Sequence, residues 1–191
     1  MKVNVVGTAG CGKSTFGKML AEKVGVPYIE MDELFWKPNW TESSDESFFL
    51  KIEQALASDG WILDGNYNRT TALKWKQVQT VVYLDLPFHV VLFRMIKRCL
   101  MRGLTREVLW AGNTETVWRH FFTLDSMILW TVKRFHSNWR RSTALFKNPE
   151  YAHIHFVRLS SKAEVDKFLA SFSGVAERED NNISRSADAE L

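Results

Sequence analysis

Apolar positions along the chain fall into short unbroken runs that alternate with helical stripes. "VNVV" at 3–6, "VPYIEM" at 26–31, "WIL" at 61–63, "TVVYL" at 80–84 and "IHFVRLS" at 154–160 are the runs. Their length, and their closure by Gly, Asp or Pro, predicts strands covered on both faces. Between them, Lys13 to Val24 has helical spacing and stops at Gly25. Phe48, Phe49, Ile52, Ala55 and Leu56 form the stripe of a second helix, from Phe48 to Ala57. A third is predicted from Phe88 to Met101, broken by a glycine-bearing segment from Gly103 to Asn113. A basic, aromatic helical region from Thr116 to Arg141 and a closing helix in "KAEVDKFLASF" complete the set, while Trp36 to Ser47 reads as irregular.

Strands that alternate with helices predict an α/β fold of three layers, a five-stranded parallel sheet between helices, with a helical lid-like segment. Ligands of such sheets sit outside the carboxyl ends of the strands. Gly7, Asp32, Asp64 and Asp85 are all expected there. The length of 191 residues suits one domain. It is expected over 1–173, with the lid-like segment at about 102–141 and a polar, disordered tail over 174–191.

Charge sharpens this picture. The whole chain carries only +3, but Leu92 to Arg141 holds ten Lys/Arg against three acids, a local excess of +7. That excess suits an anionic substrate. Two cysteines are too few for a disulfide framework and suggest a reducing cytoplasm. The apolar stretches at 81–101 and 120–132 are interrupted by charges, so no membrane span and no signal peptide are expected, and the protein reads as cytoplasmic.

The chemistry is concentrated in "GTAGCGKS", Gly7 to Ser14, which fits G-x-x-x-x-G-K-[ST] between a strand and a helix. Gly7, Thr8, Ala9, Gly10, Cys11, Gly12, Lys13, Ser14 and Thr15 are the expected phosphate cradle for ATP. Backbone N–H groups and the helix N-terminus supply its positive potential. Lys13 is expected on the β and γ phosphates, and Ser14 on Mg²⁺. Cys11 fits as a small filler. Asp64, at the tip of the neighbouring strand, is the second expected Mg²⁺ ligand. Gly65 lets the chain turn close to the substrate, and Arg69 could fork two oxygens of a phosphoryl group or acceptor.

"MDELFWKPNW", "WILDGNYNRT" and "VVYLDLP" give the chain a resemblance to adenylate-kinase-like nucleotide kinases, above all to bacterial P-loop proteins of the DNA topology modulation group. The likeness runs from Met1 to about Phe172. It implies a kinase that moves the γ-phosphoryl group of ATP to a small acceptor, a nucleotide or nucleoside in first place. Asp32 is then an acceptor-orienting group or base, with Trp36, Lys37 and Trp40 as the acceptor wall. Arg98 and Arg102, with Arg94 on the same helix face, and Arg134 on the return segment, resemble the arginines that frame a kinase lid. A nucleotide-dependent DNA binder is the rival, since Trp110, Trp118, Trp130 and Trp139 lie among the basic residues. It lacks a recognisable DNA-binding motif and ranks second. The five histidines show no metal spacing and are expected to be structural.

Overall fold

The computed structural model describes residues 1–114, 135, 140 and 142–172. The first strand, β1 (Lys2–Gly7), runs into the glycine loop and then α1 (Lys13–Val24). The left-handed Gly25 ends α1, its N–H bonded to the Ala21 carbonyl. Next come β2 (Tyr28–Glu30) and a five-residue helix, α2 (Met31–Phe35). Strands β3 (Trp36–Lys37) and β4 (Thr41–Glu42) form a small antiparallel hairpin where the pattern predicts irregular chain. Helix α3 (Asp45–Ala55) starts three residues before its apolar stripe, because Ser44 caps it by accepting from the Ser47 N–H.

After β5 (Trp61–Asp64), a tight turn leads to α4 (Thr71–Lys74), then β6 (Thr80–Leu84) and α5 (Phe88–Thr105). Helix α5 passes through Gly103, which was expected to end it, and stops at left-handed Arg106. Strand β7 (His155–Leu159) and a helix from Lys162 to Ala170 close the described chain. The predicted helical region from Thr116 to Arg141 and the tail lie almost wholly outside the described residues.

The five long strands form one parallel sheet in the order β2-β5-β1-β6-β7. Alternation along the strands divides the core between its faces. Val3, Val5, Ile62, Val82 and Leu84 meet Phe16 and Leu20 of α1 and Leu169 of the closing helix. Trp61, Leu63, Val81 and Tyr83 meet Met31, Phe35, Phe48, Ile52 and Trp75 on the other face. The expected three-layer α/β architecture is therefore present. Asp85 directly follows β6 and pairs with Arg158 of β7 at 2.5 Å. No helix among the described residues is long and apolar enough to cross a membrane.

Candidate active site

The glycine loop leaves β1 at a point where only glycine fits. A Cβ on Gly7 would lie 2.7 Å from the Leu84 carbonyl and 2.8 Å from the Cys11 sulfur. Cys11 is itself buried, as a filler residue should be, and burial pushes its thiol pKa up. Gly12, left-handed at the N-cap of α1, brings no side chain to the first-turn N–H groups. Those groups are left for an anion. Lys13 folds back over the loop, donating to the carbonyls of Gly7 (3.0 Å) and Thr8 (3.3 Å).

A cavity of about 500 Å³ opens in front of the loop. Gly10 to Thr15 form one wall, and Arg94, Arg98 and Arg102 of α5 the other. Ala9 precedes that wall, and Thr8, buried, accepts from the Cys11 N–H through its carbonyl. Arg98 and Arg102 thus line the same cavity as the loop. Arg94 goes further, donating from Nη1 to the Cys11 carbonyl at 3.2 Å. Arg98 donates to the Met95 sulfur at 3.3 Å, and its buried Nε has no partner among the described residues. Arg102 pairs with Glu107 and lies over the Trp110 ring. Arg134 lies outside the described residues.

Asp64, at the tip of β5, is nearly sealed from solvent. Its Oδ2 accepts from the Ser14 hydroxyl at 2.7 Å and from the Tyr28 phenol at 2.9 Å. Burial and the Asp64 charge push the Tyr28 pKa far up, so the phenol remains a donor. Glu30, at the end of β2, is also pushed up, by burial and then by Asp64. The three residues after Asp64 tie β5 to α2 and to β1. Gly65, at a φ of +148° that favours glycine, passes Met31, whose side-chain atoms would lie 2.7–2.8 Å from an added Cβ. Its carbonyl accepts from Lys74 (3.2 Å) and Asn4 (3.3 Å). Asn66 grips Gly7 from both sides, accepting from its N–H and donating to its carbonyl. Tyr67 donates to Asp32 Oδ1 at 2.5 Å.

Asp32 is not the last residue of a strand, as expected, but the second residue of α2, directly after β2. Burial raises its pKa, while the Tyr67 hydrogen bond and the charges of Lys13 and Arg98 oppose the rise. Trp36 and Trp40 continue an aromatic row from Phe35 at the end of α2. Trp36 meets Phe35 edge-on at 4.9 Å and Trp40 at 5.4 Å, and Trp40 meets Trp110 at 6.4 Å. Asn113 latches this row to the segment that follows α5. It accepts from the Trp40 N–H and donates to the Lys37 carbonyl.

Arg69 is placed differently from expectation. Its Nη1 pairs with Asp45 at 3.1 Å, and the guanidinium lies 4.9 Å from the Phe35 ring centroid and 5.6 Å from that of Phe48. In this arrangement it stacks on the aromatic cluster and does not line the phosphate cavity. The residues that sequence reading missed are Tyr28, Asn66, Tyr67 and the buried Lys74. For Asn66 and Tyr67 a signal was available: they follow Asp-Gly at a strand tip that must lie beside the loop.

The sequence from 9 to 123 matches the family model for shikimate kinase. Among curated proteins, a shikimate kinase of Sulfurihydrogenibium sp. (strain YO3AOP1) is 30% identical over 110 residues, and one of Aquifex aeolicus (strain VF5) is 28% identical over 111 residues. Each match covers 49% of this chain and 65% of the relative, so the chain spans just under two thirds of the relatives' length. A gluconokinase from Sinorhizobium meliloti 1021 shares the fold, with a TM-score of 0.50, 17% identity, and coverage of 97% of this chain and 96% of that one. The narrower likeness to DNA topology modulation proteins is not what these matches show. The family match covers more than half the sequence, and the chain belongs to the shikimate kinase family.

Proposed function

We propose that the protein transfers the γ-phosphoryl group of ATP to a hydroxyl of a small acceptor, and that the acceptor is a hydroxy acid. One observation carries this reading: Lys13 and Arg98 line one cavity in front of the glycine loop, and the half-buried Asp32, held by Tyr67, lies near enough for both charges to favour its ionised form. A base and two phosphate-seeking cations therefore converge at one point. The expectation of a nucleotide acceptor gives way to a hydroxy acid, because the curated relatives are named shikimate kinases.

ATP phosphates would occupy the loop from Gly7 to Ser14, with Thr15 adding its N–H. Lys13 would exchange its bonds to the Gly7 and Thr8 carbonyls for phosphate oxygens. Arg94, already bound to the loop, braces it, while Arg98 and Arg102 face the transferring group and offset its charge. Ser14 Oγ and Asp64 Oδ2, 2.7 Å apart, are hard oxygen donors of the kind Mg²⁺ takes, and the buried Asp64 supplies the charge. Magnesium bound there would neutralise phosphate charge. Asp32 accepts the acceptor's proton as the new O–P bond forms and the bond to the β-phosphate breaks, which leaves ADP. The wall of Trp36 and Trp40 excludes water and offers a flat apolar surface to a ring.

The DNA-binding alternative rests on the basic, Trp-rich segment 92–141, and of its described part Arg94, Arg98 and Arg102 line the cavity in front of the glycine loop, where they serve a phosphoryl group equally well. The test is an acceptor screen with ATP and Mg²⁺ covering shikimate-like acids, sugar acids, nucleosides and nucleoside monophosphates, with phosphorylated product detected directly. Phosphorylation of a hydroxy acid supports the reading. Phosphorylation of a nucleoside monophosphate alone would restore the nucleotide expectation.

A further inference from the structure

Tyr67 is held in place by contacts outside the phosphate loop. Its ring lies 4.9 Å from Phe35 and 5.0 Å from Phe48. Its carbonyl accepts from both the N–H (2.9 Å) and the hydroxyl (2.7 Å) of the fully buried Thr70. From that fixed base the phenol reaches Asp32 Oδ1 at 2.5 Å, a charge-assisted length. Among the described residues no hydrogen bond reaches Asp32 Oδ2.

The charges around this pair come from every neighbouring element. Lys13 and Arg98 favour an ionised Asp32, and Asp64 and Glu30 oppose it. Arg69 and Glu42 face the phenol. Lys13 and Arg98 line the phosphate cavity, so bound ATP draws on both. The phenol does not line it, and its hold on Asp32 is independent of phosphate. Burial and the Asp32 charge keep the phenol protonated, pushing its pKa far up.

We propose that Tyr67 is a positioning residue: its phenol holds Asp32 by one oxygen so that the other faces the acceptor hydroxyl. The proposal deepens the kinase reading and rests on it for its catalytic meaning. The hydrogen bond also favours the charged carboxylate, so its loss moves Asp32 ionisation to higher pH.

The experiment has two arms. In the first, ¹³C-aspartate NMR follows Asp32 through a pH titration in the parent and in Tyr67→Phe, with Asp32→Asn identifying the resonance. In the second, steady-state rates are measured with whichever acid the screen identifies, at saturating ATP and Mg²⁺. Tyr67→Phe is expected to titrate Asp32 at higher pH and to move the acid limb of the kcat profile the same way. It should lower kcat about 10- to 100-fold, the worth of one hydrogen bond to a charged group. The acceptor KM should change little. Identical titration of Asp32 in both proteins overturns the proposal whether or not any acceptor is found. A rate loss that is equal at every pH and accompanied by a lower melting temperature also overturns it, since Tyr67 would then only fill space. Failure of the parent to phosphorylate any acceptor counts against the kinase reading alone, and the NMR arm still decides the role of Tyr67.

Discussion

Replacing Lys74 with Met should stabilise the protein at neutral pH, and the gain should shrink as pH rises. Lys74 is 1% exposed, and burial lowers its pKa from the ordinary 10.5 to about 7, with the Asp64 charge as the opposing influence. The unfolded chain therefore binds the proton more tightly than the fold between pH 7 and 10.5. At or below pH 7 the full penalty is present, about 5 kcal/mol at about 1.4 kcal/mol per pKa unit. As pH climbs from 7 toward 10.5, the lysine becomes neutral in both states and the penalty disappears. The parent should gain about 1.4 kcal/mol per pH unit relative to Lys74→Met. Met keeps a similar volume, and the Gly65 carbonyl that loses the ammonium still accepts from Asn4. The assay is urea unfolding of both proteins at half-unit steps from pH 6 to 9.5. A stability difference that stays flat above pH 7 would refute the reasoning, because it would mean the buried ammonium stays charged through its attraction to Asp64.

Lys13→Ala should abolish phosphoryl transfer and leave the melting temperature nearly unchanged, because among the described residues its hydrogen bonds go to two loop carbonyls; product formation at saturating ATP checks this. Asp64→Asn keeps the shape but removes the charge, so activity should need several-fold more Mg²⁺; a magnesium titration of turnover identical to the parent's would exclude a metal-holding role. Arg69→Ala should cost about 0.2–1 kcal/mol for the exposed ion pair with Asp45, and about 0.5–1 kcal/mol for the stacking on Phe35 and Phe48. Its kcat should stay within a few-fold of the parent, and a collapse in both Arg69→Ala and Arg69→Lys would return Arg69 to the phosphoryl group.

The sheet was legible because each strand is a short apolar run with both faces covered, a signal confined to its own residues. The glycine loop was legible for the same reason, since its chemistry depends on consecutive residues. Asp64 was placed correctly because a carboxylate at a strand tip beside that loop has few alternatives. Signals that depend on partners far along the chain were not legible. Asn66 meets a glycine 59 positions away, and Tyr67 an aspartate 35 away. Nothing in "TALKWK" separates the buried Lys74 from a solvated lysine. The β3–β4 hairpin escaped because two-residue strands have no period, and because its turn places Asn39 and Trp40 at positive φ against their ordinary preferences. Arg69 was assigned from its forked guanidinium and its place just after Asp-Gly at a strand tip, whereas Asp45 and two phenylalanine rings hold it in the fold.

The turn from Asp64 to Tyr67 limits how the protein can change over generations. Asp64 serves Ser14 and Tyr28, Gly65 clears Met31, Asn66 grips Gly7, and Tyr67 holds Asp32. An inserted or exchanged residue there would disturb the phosphate loop and the acceptor carboxylate together, so a new preference has no gradual route through that turn. Among the described residues the hairpin from Trp36 to Glu42 has no such ties to the loop, and its second strand is exposed. Descendants that take up a different acceptor are expected to carry their substitutions in the hairpin, with the four-residue turn inherited unchanged.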